Sequence, residues 1–223
     1  MQYIYDENAS KDSIKIEGDN HKYLFKVRRL KIGDSVNLRN LNDKNIYTYS
    51  ITMIDRRSAT LSLQSSEEKE VKPNKYLHIG WSVVDPKTIE KTLASLNELG
   101  VSKISFFYAD FSQKNFKINF ERLEKILINS SIQCGRSDKI EFEVIDSLKE
   151  FIEKYPESYM FNFSQNKITE NKDKIDTIVV GPEGGFSDDE IKLFDVNKIV
   201  GIDSNIIQRS ETALACISSI ILF

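Results

Sequence analysis

From residue 77 onward, short apolar segments alternate with amphipathic ones, and this alternation constrains the fold more than any other feature of the chain. The apolar segments are rich in β-branched and aromatic residues, which favour strands, whereas the segments between them carry helix signals. Pro86 suits the first turn of a helix, and Gly100 suits the position just after its end. Nearly continuous apolar strands between helices indicate an α/β fold, with a mostly parallel sheet covered on both faces.

The positions of these elements can be predicted from the same pattern. Strands are expected at 77–83, 103–109, 140–145, 159–163, 176–181 and 198–202. Helices are expected at 86–99, 119–131, 147–154 and 210–221. No internal repeat or low-complexity tract interrupts the series.

The first 70 residues follow a different pattern, that of a small β-barrel-like module. Short alternating segments predict strands at 2–5, 35–40, 47–54 and 59–64, and one helix is expected near 19–31. The polar stretch 65–75 is interpreted as a linker. We therefore expect two domains, residues 1–70 and residues 71–223. Small barrels of this kind often hold RNA.

A glycine-rich loop, GPEGG at 181–185, stands out because the whole chain has only nine glycines and four prolines. It follows the apolar run TIVV, so it leaves the carboxyl end of a strand, where ligands bind in open α/β sheets. Ser187 and Glu190 then form a capping-box pattern that is predicted to open a helix. Glycine in such a crossover permits a ligand to approach the backbone closely. A tight turn without a ligand is the alternative.

The residues around this loop limit what it can bind. It lacks the Lys-Ser/Thr pair of a P-loop and the GxGxxG spacing of a dinucleotide site. Glu183, Asp188 and Asp189 would also repel an anion. The loop therefore suits a neutral or cationic ligand whose polar edges are read by backbone groups.

Composition excludes several other classes of protein. Cys134, Cys216, His21 and His78 are too few and too scattered for a disulfide framework or a spaced metal site, so no metal is expected. The longest nearly apolar stretch, LACISSIILF, is too short to span a bilayer. The first residues lack the features of a signal peptide, so a cytoplasmic protein is expected.

The charge of the chain is unevenly distributed. The net charge of −3 argues against binding nucleic acid through bulk charge. The segment HKYLFKVRRLKIG at 21–33 nevertheless contains no acidic residue, and aromatic residues interleave with its basic ones. Its basic residues are Lys22, Lys26, Arg28, Arg29 and Lys31. A solvated helix face and an RNA-binding surface are both compatible with this pattern.

Five motifs together resemble one known family, the ribosomal RNA uridine N3-methyltransferases (RsmE type) of the SPOUT, or trefoil-knot, superfamily. In chain order they are HKYLFKVRRLKIGDSV (21–36), NELGVSKI (97–104), SIQCGR (131–136), VGPEGGFSDDEI (180–191) and IIQRSETA (206–213). They span nearly the whole chain in the order of the family. The pair formed by GPEGG and R-x-ETA is the most specific part of the likeness.

The resemblance implies a fold and an activity. The fold would be a SPOUT trefoil-knot methyltransferase domain preceded by a PUA-like β-barrel. The activity would be methylation of N3 of a specific uridine in 16S ribosomal RNA, with S-adenosylmethionine as the methyl donor. The family works as a homodimer with its active site near the subunit interface, and the RNA would be presented within the small ribosomal subunit.

The resemblance also implies the site residues, carried over by position. The cofactor would contact Phe161, Asn162, Phe163, Gly181, Pro182, Glu183, Gly184, Gly185, Ile202, Asp203, Ser204, Ile207 and Gln208. The catalytic candidates would be Arg136, Arg209 and Glu211.

Their roles differ. Arg136 and Arg209 could pair with the uracil oxygens or the RNA backbone, while Gln133 could hydrogen-bond the base edge. Glu211 could be the general base, or it could cap its helix and orient Arg209. Glu183 is interpreted as shaping the loop. The basic residues of the 21–33 segment, named above, would position the RNA.

The chain departs from the family pattern at several positions. Asp203 and Ser204 stand where Leu-Gly is usual, Gln208 replaces an aliphatic residue, and Ile132 replaces a glutamate. Two other functions remain as alternatives, and the departures favour the second of them. One is a SPOUT methyltransferase acting on transfer RNA. The other is a non-catalytic RNA-binding or ribosome-assembly protein with the same fold.

Overall fold

The computed structural model describes residues 3–223, which form two compact units. The first unit comprises the residues up to Lys72 together with 131–139, and the second comprises 73–130 and 140–223. The segment 131–139, which the sequence pattern assigned to the second domain, thus groups with the first unit. The domain limits at 1–70 and 71–223 stay a prediction.

The first unit is built on a five-stranded sheet with the strand order β1-β3-β4-β5-β2. Its strands are β1 (Ile4–Tyr5), β2 (Ser13–Glu17), β3 (Ser35–Arg39), β4 (Asn45–Ile54) and β5 (Ser58–Glu68). All neighbours are antiparallel except β1 and β3, which are parallel. Alternating burial along β2 and β3 places their apolar side chains, such as Ile16 and Leu38, in one core around Leu24.

The helix predicted at 19–31 is shorter than expected and irregular. Helix α1 (Gly18–Lys22) continues into a π-helical turn at Tyr23–Val27 and ends there. Arg29 has a left-handed φ of 56°, and the Leu30 amide donates to the Leu24 carbonyl at 3.1 Å. This hydrogen bond between residues six positions apart closes the end of the helix as a C-cap. The prediction missed the cap because the left-handed residue of such a cap is usually glycine.

Two further predictions for this unit need correction. Strand β2 was not predicted, although its sequence SIKIE alternates as a strand should. The linker expected at 65–75 begins later, because β5 continues to Glu68, which pairs with Asn45 of β4. The ladder uses backbone groups only, so polar side chains can stay exposed along it. Of the predicted strand 2–5, Gln2 lies outside the described residues.

The second unit is a six-stranded parallel sheet with helices on both faces, as predicted. Its strands are β6 (His78–Ser82), β7 (Lys103–Tyr108), β8 (Glu141–Ser147), β9 (Tyr159–Phe161), β10 (Thr177–Val180) and β11 (Ile199–Val200). Its helices are α2 (Pro86–Leu99), α3 (Phe120–Cys134, whose last four residues group with the first unit), α4 (Leu148–Lys154), α5 (Ile168–Asn171), α6 (Asp188–Ile191) and α7 (Ser210–Leu222). The strand order is β11-β9-β10-β6-β7-β8.

The predicted strands and long helices are confirmed within a few residues. Gly100 adopts φ 104° after α2, as its predicted position required. The four-residue helix α5 was not predicted, because so short an element leaves little periodicity to detect. No helix within residues 3–223 has both the length and the apolar character needed to cross a membrane.

Side chains from one strand feed two separate cores. Phe106 packs with Trp81 and α2 on one face of the sheet, whereas its neighbour Phe107 packs with Phe151 and Met160 on the other. Successive strand residues point to opposite faces, so a strand buried on both sides is apolar at most of its positions. This explains the continuous apolar runs from which the parallel sheet was predicted.

A buried polar network lies across the first half of β6, β7 and β8. His78 is 1% exposed, and its Nε2 lies 2.8 Å from Ser105 Oγ, which donates to Glu143 Oε2 at 2.7 Å. Glu143 also bonds three further side chains, Tyr155 (2.7 Å), Lys103 (3.0 Å) and Lys154. Because Ser105 donates to the carboxylate, it accepts from the Nε2–H of a neutral His78.

The network sets the charge of two groups. Burial, with the nearby Lys103 ammonium acting in the same direction, lowers the pKa of His78 to about 4. Burial alone would raise the pKa of the Glu143 carboxyl, but hydrogen bonds from Lys154 and Ser105 hold that pKa well below its usual range.

We predict an acid-sensitive stability that comes from His78. The unfolded chain binds a proton near the ordinary pKa of 6.5, whereas the folded chain does so only near 4, so stability falls as the pH drops between these values. From pH 7 to pH 5 this should cost about 2 kcal/mol of unfolding free energy. Glu143 stays ionised in that window. Urea unfolding of wild type and His78→Gln at both pH values checks it, and an equal pH effect in both proteins would contradict the prediction.

Candidate active site

One cavity lies at the carboxyl edge of the parallel sheet, where β11, β9 and β10 are neighbours. Its volume is about 500 Å³, and three loops form its walls. The loops follow β9, β10 and β11, and the start of α7 closes the remaining side. Because parallel strands end at the same edge, loops distant in sequence meet there.

All of the residues predicted to contact a cofactor line this cavity. They are Phe161, Asn162, Phe163, Gly181, Pro182, Glu183, Gly184, Gly185, Ile202, Asp203, Ser204, Ile207 and Gln208. Asn205 and Ile206, which lie inside the predicted cofactor loop from Ile202 to Gln208, line the cavity as well. Other lining residues were missed, namely Ser164, Gln165, Lys167, Val180, Ser210 and Ala213. Most of the missed residues lie in or next to the same three loops, so widening each predicted segment by a few residues would have found them.

The loop after β10 is fixed at both ends. Gly185 has φ 73°, a left-handed conformation, and its amide donates to the Pro182 carbonyl at 2.9 Å. The capping box predicted for Ser187 and Glu190 is present. Glu190 is buried, and its second oxygen accepts from the Asp110 amide at 3.0 Å. Glu183 is exposed between these anchors.

The loops after β9 and β11 approach each other at Gly201, where no side chain would fit. A Cβ on Gly201 would lie 2.7 Å from the Ser164 carbonyl oxygen and 2.9 Å from that of Asn162. The Gly201 amide donates to the Asn166 carbonyl, and its own carbonyl accepts from Ile168, both at 2.9 Å. Backbone contact therefore holds the two loops together.

An ion pair joins the same two loops at the surface. Lys167 Nζ lies 2.7 Å from Asp203 Oδ2. The hydrogen bond from Lys167 holds the pKa of the Asp203 carboxyl below its usual value. Asp203 is one of the departures from the family pattern, and the structure gives it a partner within the cavity wall.

The start of α7 supplies the last wall. Ser210 is buried, and its Oγ accepts a hydrogen bond from Trp81 Nε1 at 2.9 Å, which ties the helix start to β6. Arg209 is exposed just before it, and Glu211 is half-buried just after it. Gln208 Oε1 and Glu211 Oε2 are buried, and neither has a hydrogen-bond partner among the described residues. Protein contacts do not fix these two atoms.

Arg136 and Gln133 both lie within the 131–139 segment, which groups with the first unit. Arg136 is buried, and its Nε pairs with Asp138 Oδ1 at 2.8 Å. Its carbonyl accepts a hydrogen bond from the Tyr3 hydroxyl at 2.7 Å. Gln133 is exposed on α3. Neither is among the described residues that line the cavity, and their predicted roles stay predictions.

The basic segment of the first unit is exposed. Lys22 pairs with Asp19 at 2.8 Å. The other predicted RNA-binding residues of the segment are exposed as well: Lys26, Arg28, Arg29 and Lys31. Within residues 3–223, no cluster of three or more His, Cys, Asp or Glu side chains is arranged to hold a metal ion.

Comparison with known proteins identifies the family. A model of the RNA methyltransferase domain matches residues 71–222, and a model of the RNA methyltransferase PUA domain matches residues 16–64. Ribosomal RNA small subunit methyltransferase E from Helicobacter pylori (strain J99) is 40% identical over 223 residues, which is 99% of each chain. The chain belongs to the ribosomal RNA small subunit methyltransferase E family. It is therefore an RNA methyltransferase.

Solved structures show that the fold is that of the family. Ribosomal RNA small subunit methyltransferase E from Neisseria gonorrhoeae, bound to S-adenosyl methionine, has a TM-score of 0.80 at 18% identity, covering 98% of this chain and 95% of that chain. A protein from Legionella pneumophila with bound cofactor SAM has a TM-score of 0.79 at 22% identity, covering 98% and 96%. The predicted SPOUT fold with a PUA-like domain is confirmed.

Proposed function

We propose that the protein transfers a methyl group from S-adenosylmethionine to N3 of a uridine in 16S ribosomal RNA. The observation that carries this proposal is the cavity at the carboxyl edge of the sheet. It gathers the predicted cofactor residues in a chain that matches a small subunit methyltransferase E over its full length. The substrate class follows from the family, and the cofactor follows from the solved structures that have S-adenosylmethionine bound.

The residues of the cavity fit this cofactor. Val180, Pro182 and Ala213 offer apolar surface, whereas backbone groups of the glycine-rich loop and the Gln208 amide offer polar contacts. Among the described residues Gln208 Oε1 has no hydrogen-bond partner, so its amide can turn towards a ligand. Asp203 is neutralised by Lys167, while no basic side chain in the described chain pairs with Glu183. A residual negative charge suits a ligand with a sulfonium and an ammonium group.

When bound, S-adenosylmethionine supplies an activated methyl group on its sulfonium. The chain's own task is to hold uridine N3 in line with that group and to keep it there, because positioning gives much of the acceleration. N3–H must also lose its proton at or before attack. The loop anchors at Gly201 and Glu190 keep the cavity walls in one arrangement.

Arg209 and Glu211 flank Ser210, which lines the cavity, and we propose that they assist the proton transfer, although neither is itself among the described lining residues. Arg209 is exposed at the cavity edge and can stabilise negative charge that develops on the uracil oxygens. Glu211 Oε2 has no hydrogen-bond partner among the described residues, so it can accept the N3 proton or orient Arg209. Arg136, in contrast, is buried and paired with Asp138. We propose that it anchors the 131–139 segment.

The target must be accessible before it reacts. N3 lies on the Watson–Crick edge of uracil, so the base has to be unpaired or turned out of its stack. We propose that the exposed basic segment of the first unit holds the RNA backbone during this step. We also propose that the RNA is presented within the small subunit, in the cytoplasm, where ribosomal subunits are assembled.

The product of the reaction tests the proposal directly. The protein is incubated with labelled S-adenosylmethionine and, in separate reactions, with small subunits that lack the modification or with transfer RNA, and nucleoside mass spectrometry locates the methyl group. We expect label at N3 of a single uridine in 16S RNA. Label confined to transfer RNA would favour the first alternative function. Cofactor binding without transfer to any RNA would favour a non-catalytic assembly protein.

A substitution at Arg209 separates catalysis from cofactor binding. Arg209 is not itself among the described residues that line the cavity. Arg209→Met should lower kcat about 100-fold, as the loss of a charge-stabilising donor does, and leave S-adenosylhomocysteine affinity unchanged. Arg209→Lys should restore part of the rate. Steady-state kinetics and calorimetry check this, and an unchanged kcat would remove Arg209 from the mechanism.

We also propose that two chains form a homodimer close to the cavity. Phe163, Ile206 and Ile207 line the cavity, and they are 78%, 77% and 79% exposed. Clustered exposed apolar side chains at a site indicate a surface that a partner covers. These exposed apolar side chains are thus compatible with the homodimer that the family resemblance implies.

The dimer can be tested by sedimentation velocity. We expect a species of twice the chain mass, and Ile206→Asp should raise the dimer dissociation constant at least about tenfold by placing a charge in an apolar contact. Val196→Asp is the matched control, because Val196 is 73% exposed but is not among the cavity residues. A monomeric wild type, or equal effects of the two changes, would overturn the proposal.

A further inference from the structure

The turn between β4 and β5 presents two arginines to solvent. Arg56 and Arg57 are its central residues, and the turn is closed by the Asp55 amide, which donates to the Ser58 carbonyl at 2.8 Å. Both arginines are exposed. No acidic side chain in the described part of the chain pairs with either of them, although other basic residues of this unit, such as Lys15, do form ion pairs. The turn therefore carries two uncompensated guanidinium groups.

The fold places this turn beside the basic segment of the same unit. In the antiparallel ladder between β2 and β5, Ser58 lies opposite Glu17. Helix α1 starts at the next residue, Gly18. His21 Nε2 lies 3.2 Å from the Asp55 carbonyl oxygen, so the helix contacts the turn itself. These contacts bring arginines 56 and 57 close to residues that lie some thirty positions earlier in the sequence.

The far end of the segment is tied to β4 as well. The Gly33 amide donates to the Ile51 carbonyl at 2.8 Å, and the Ile51 amide donates to the Asp34 carbonyl at 3.0 Å. Both ends of the segment are thus bonded to the hairpin that carries the turn. The segment cannot move away from Arg56 and Arg57 without breaking these bonds.

The conformation of the segment exposes its charges. Arg29 adopts the left-handed φ of 56°, held by the Leu30 to Leu24 hydrogen bond, and Leu24 is fully buried. A non-glycine residue held in this region is a feature that often marks a functional position. The chain reversal keeps Arg28 and Arg29 exposed at the end of the helix.

The resulting surface, here the hairpin-helix surface, is strongly basic. It contains Lys26, Arg28, Arg29, Lys31, Arg56 and Arg57, all exposed and none paired with an acidic side chain in the described chain. The acidic residues on the same elements are Asp34 and Asp55, so the local charge is about +4 even though the whole chain carries −3. Lys22 is left out because Asp19 neutralises it.

We propose that Arg56 and Arg57 bind the phosphodiester backbone of the RNA substrate and form, with the 26–31 segment, one continuous phosphate-binding surface. This inference rests on the proposed function and adds the β4–β5 turn to the RNA contact. Four of the six cations are arginines, whose planar forks match two phosphate oxygens at once. Phosphate contacts fix the register of the RNA and leave the choice of base to the cavity.

The test is the salt dependence of RNA binding. The probe is 16S ribosomal RNA transcribed in vitro, bound to the full chain in filter assays between 50 and 200 mM salt. Arg56→Gln/Arg57→Gln should lower the magnitude of the slope of log K against log salt by about 1.4 to 1.8, since each lost phosphate contact removes about 0.7 to 0.9. Affinity at low salt should fall about tenfold or more. S-adenosylhomocysteine affinity should not change.

A matched variant controls for net charge. Lys87→Gln/Lys91→Gln removes the same charge from exposed positions on α2 and should leave the slope unchanged.

Arg29→Gly provides a second test within the surface, because glycine tolerates the left-handed φ. It should keep or raise the melting temperature and still weaken RNA binding.

The outcomes separate this inference from the proposed function. An unchanged slope in the arginine double variant, or an equal effect of the lysine control, overturns the inference. Weakened binding to assembled subunits with unchanged binding to bare RNA would place the partner on a ribosomal protein and overturn it too. If wild type binds the RNA through this surface but methylates no uridine, the proposed function fails and the inference stands.

Discussion

The parallel order of β11, β9 and β10 is the constraint on which the candidate site depends. Three segments that are 20 to 40 residues apart in the chain end at one edge because their strands run in the same direction. Each of these strands is only two to four residues long. Little regular structure therefore stabilises the loops that follow them. Their arrangement must come from contacts between loops.

The contacts between the loops are mostly contacts between backbone groups. Side chains that depart from the family pattern can therefore be tolerated in these loops. Gly201 brings two loops to within backbone hydrogen-bond distance, and no side chain at that position would permit the same approach. Around this fixed point, side chains can vary. Asp203 replaces an expected aliphatic residue and forms an ion pair with Lys167, so the departure from the family pattern adds a link between the loops. An exposed pair of this kind adds little stability, and its main effect is to fix geometry.

The sequence predicted the main elements of the second unit well, because the long helices are clearly periodic and the strands are apolar runs that alternate with them. It predicted the cavity residues through motifs, and the structure brings them together. It could not predict the irregular end of α1, where Arg29 takes a conformation usual for glycine. It also missed Arg56 and Arg57, since no local pattern shows that a turn at 55–58 contacts a helix at 18–22. Contacts between distant segments depend on the register of β2 with β5, which burial decides.

The charge that an RNA phosphate meets locally differs from the net charge of the whole chain. A total of −3 argues correctly against attraction of RNA by the chain as a whole. At physiological salt, however, exposed charges are screened beyond about 8 Å, so an RNA phosphate responds to the residues in its immediate surroundings. A surface with six unpaired cations can then bind a backbone whatever the sum over the chain. We therefore propose that phosphate binding and base selection belong to different elements, the first to the hairpin-helix surface and the second to the cavity.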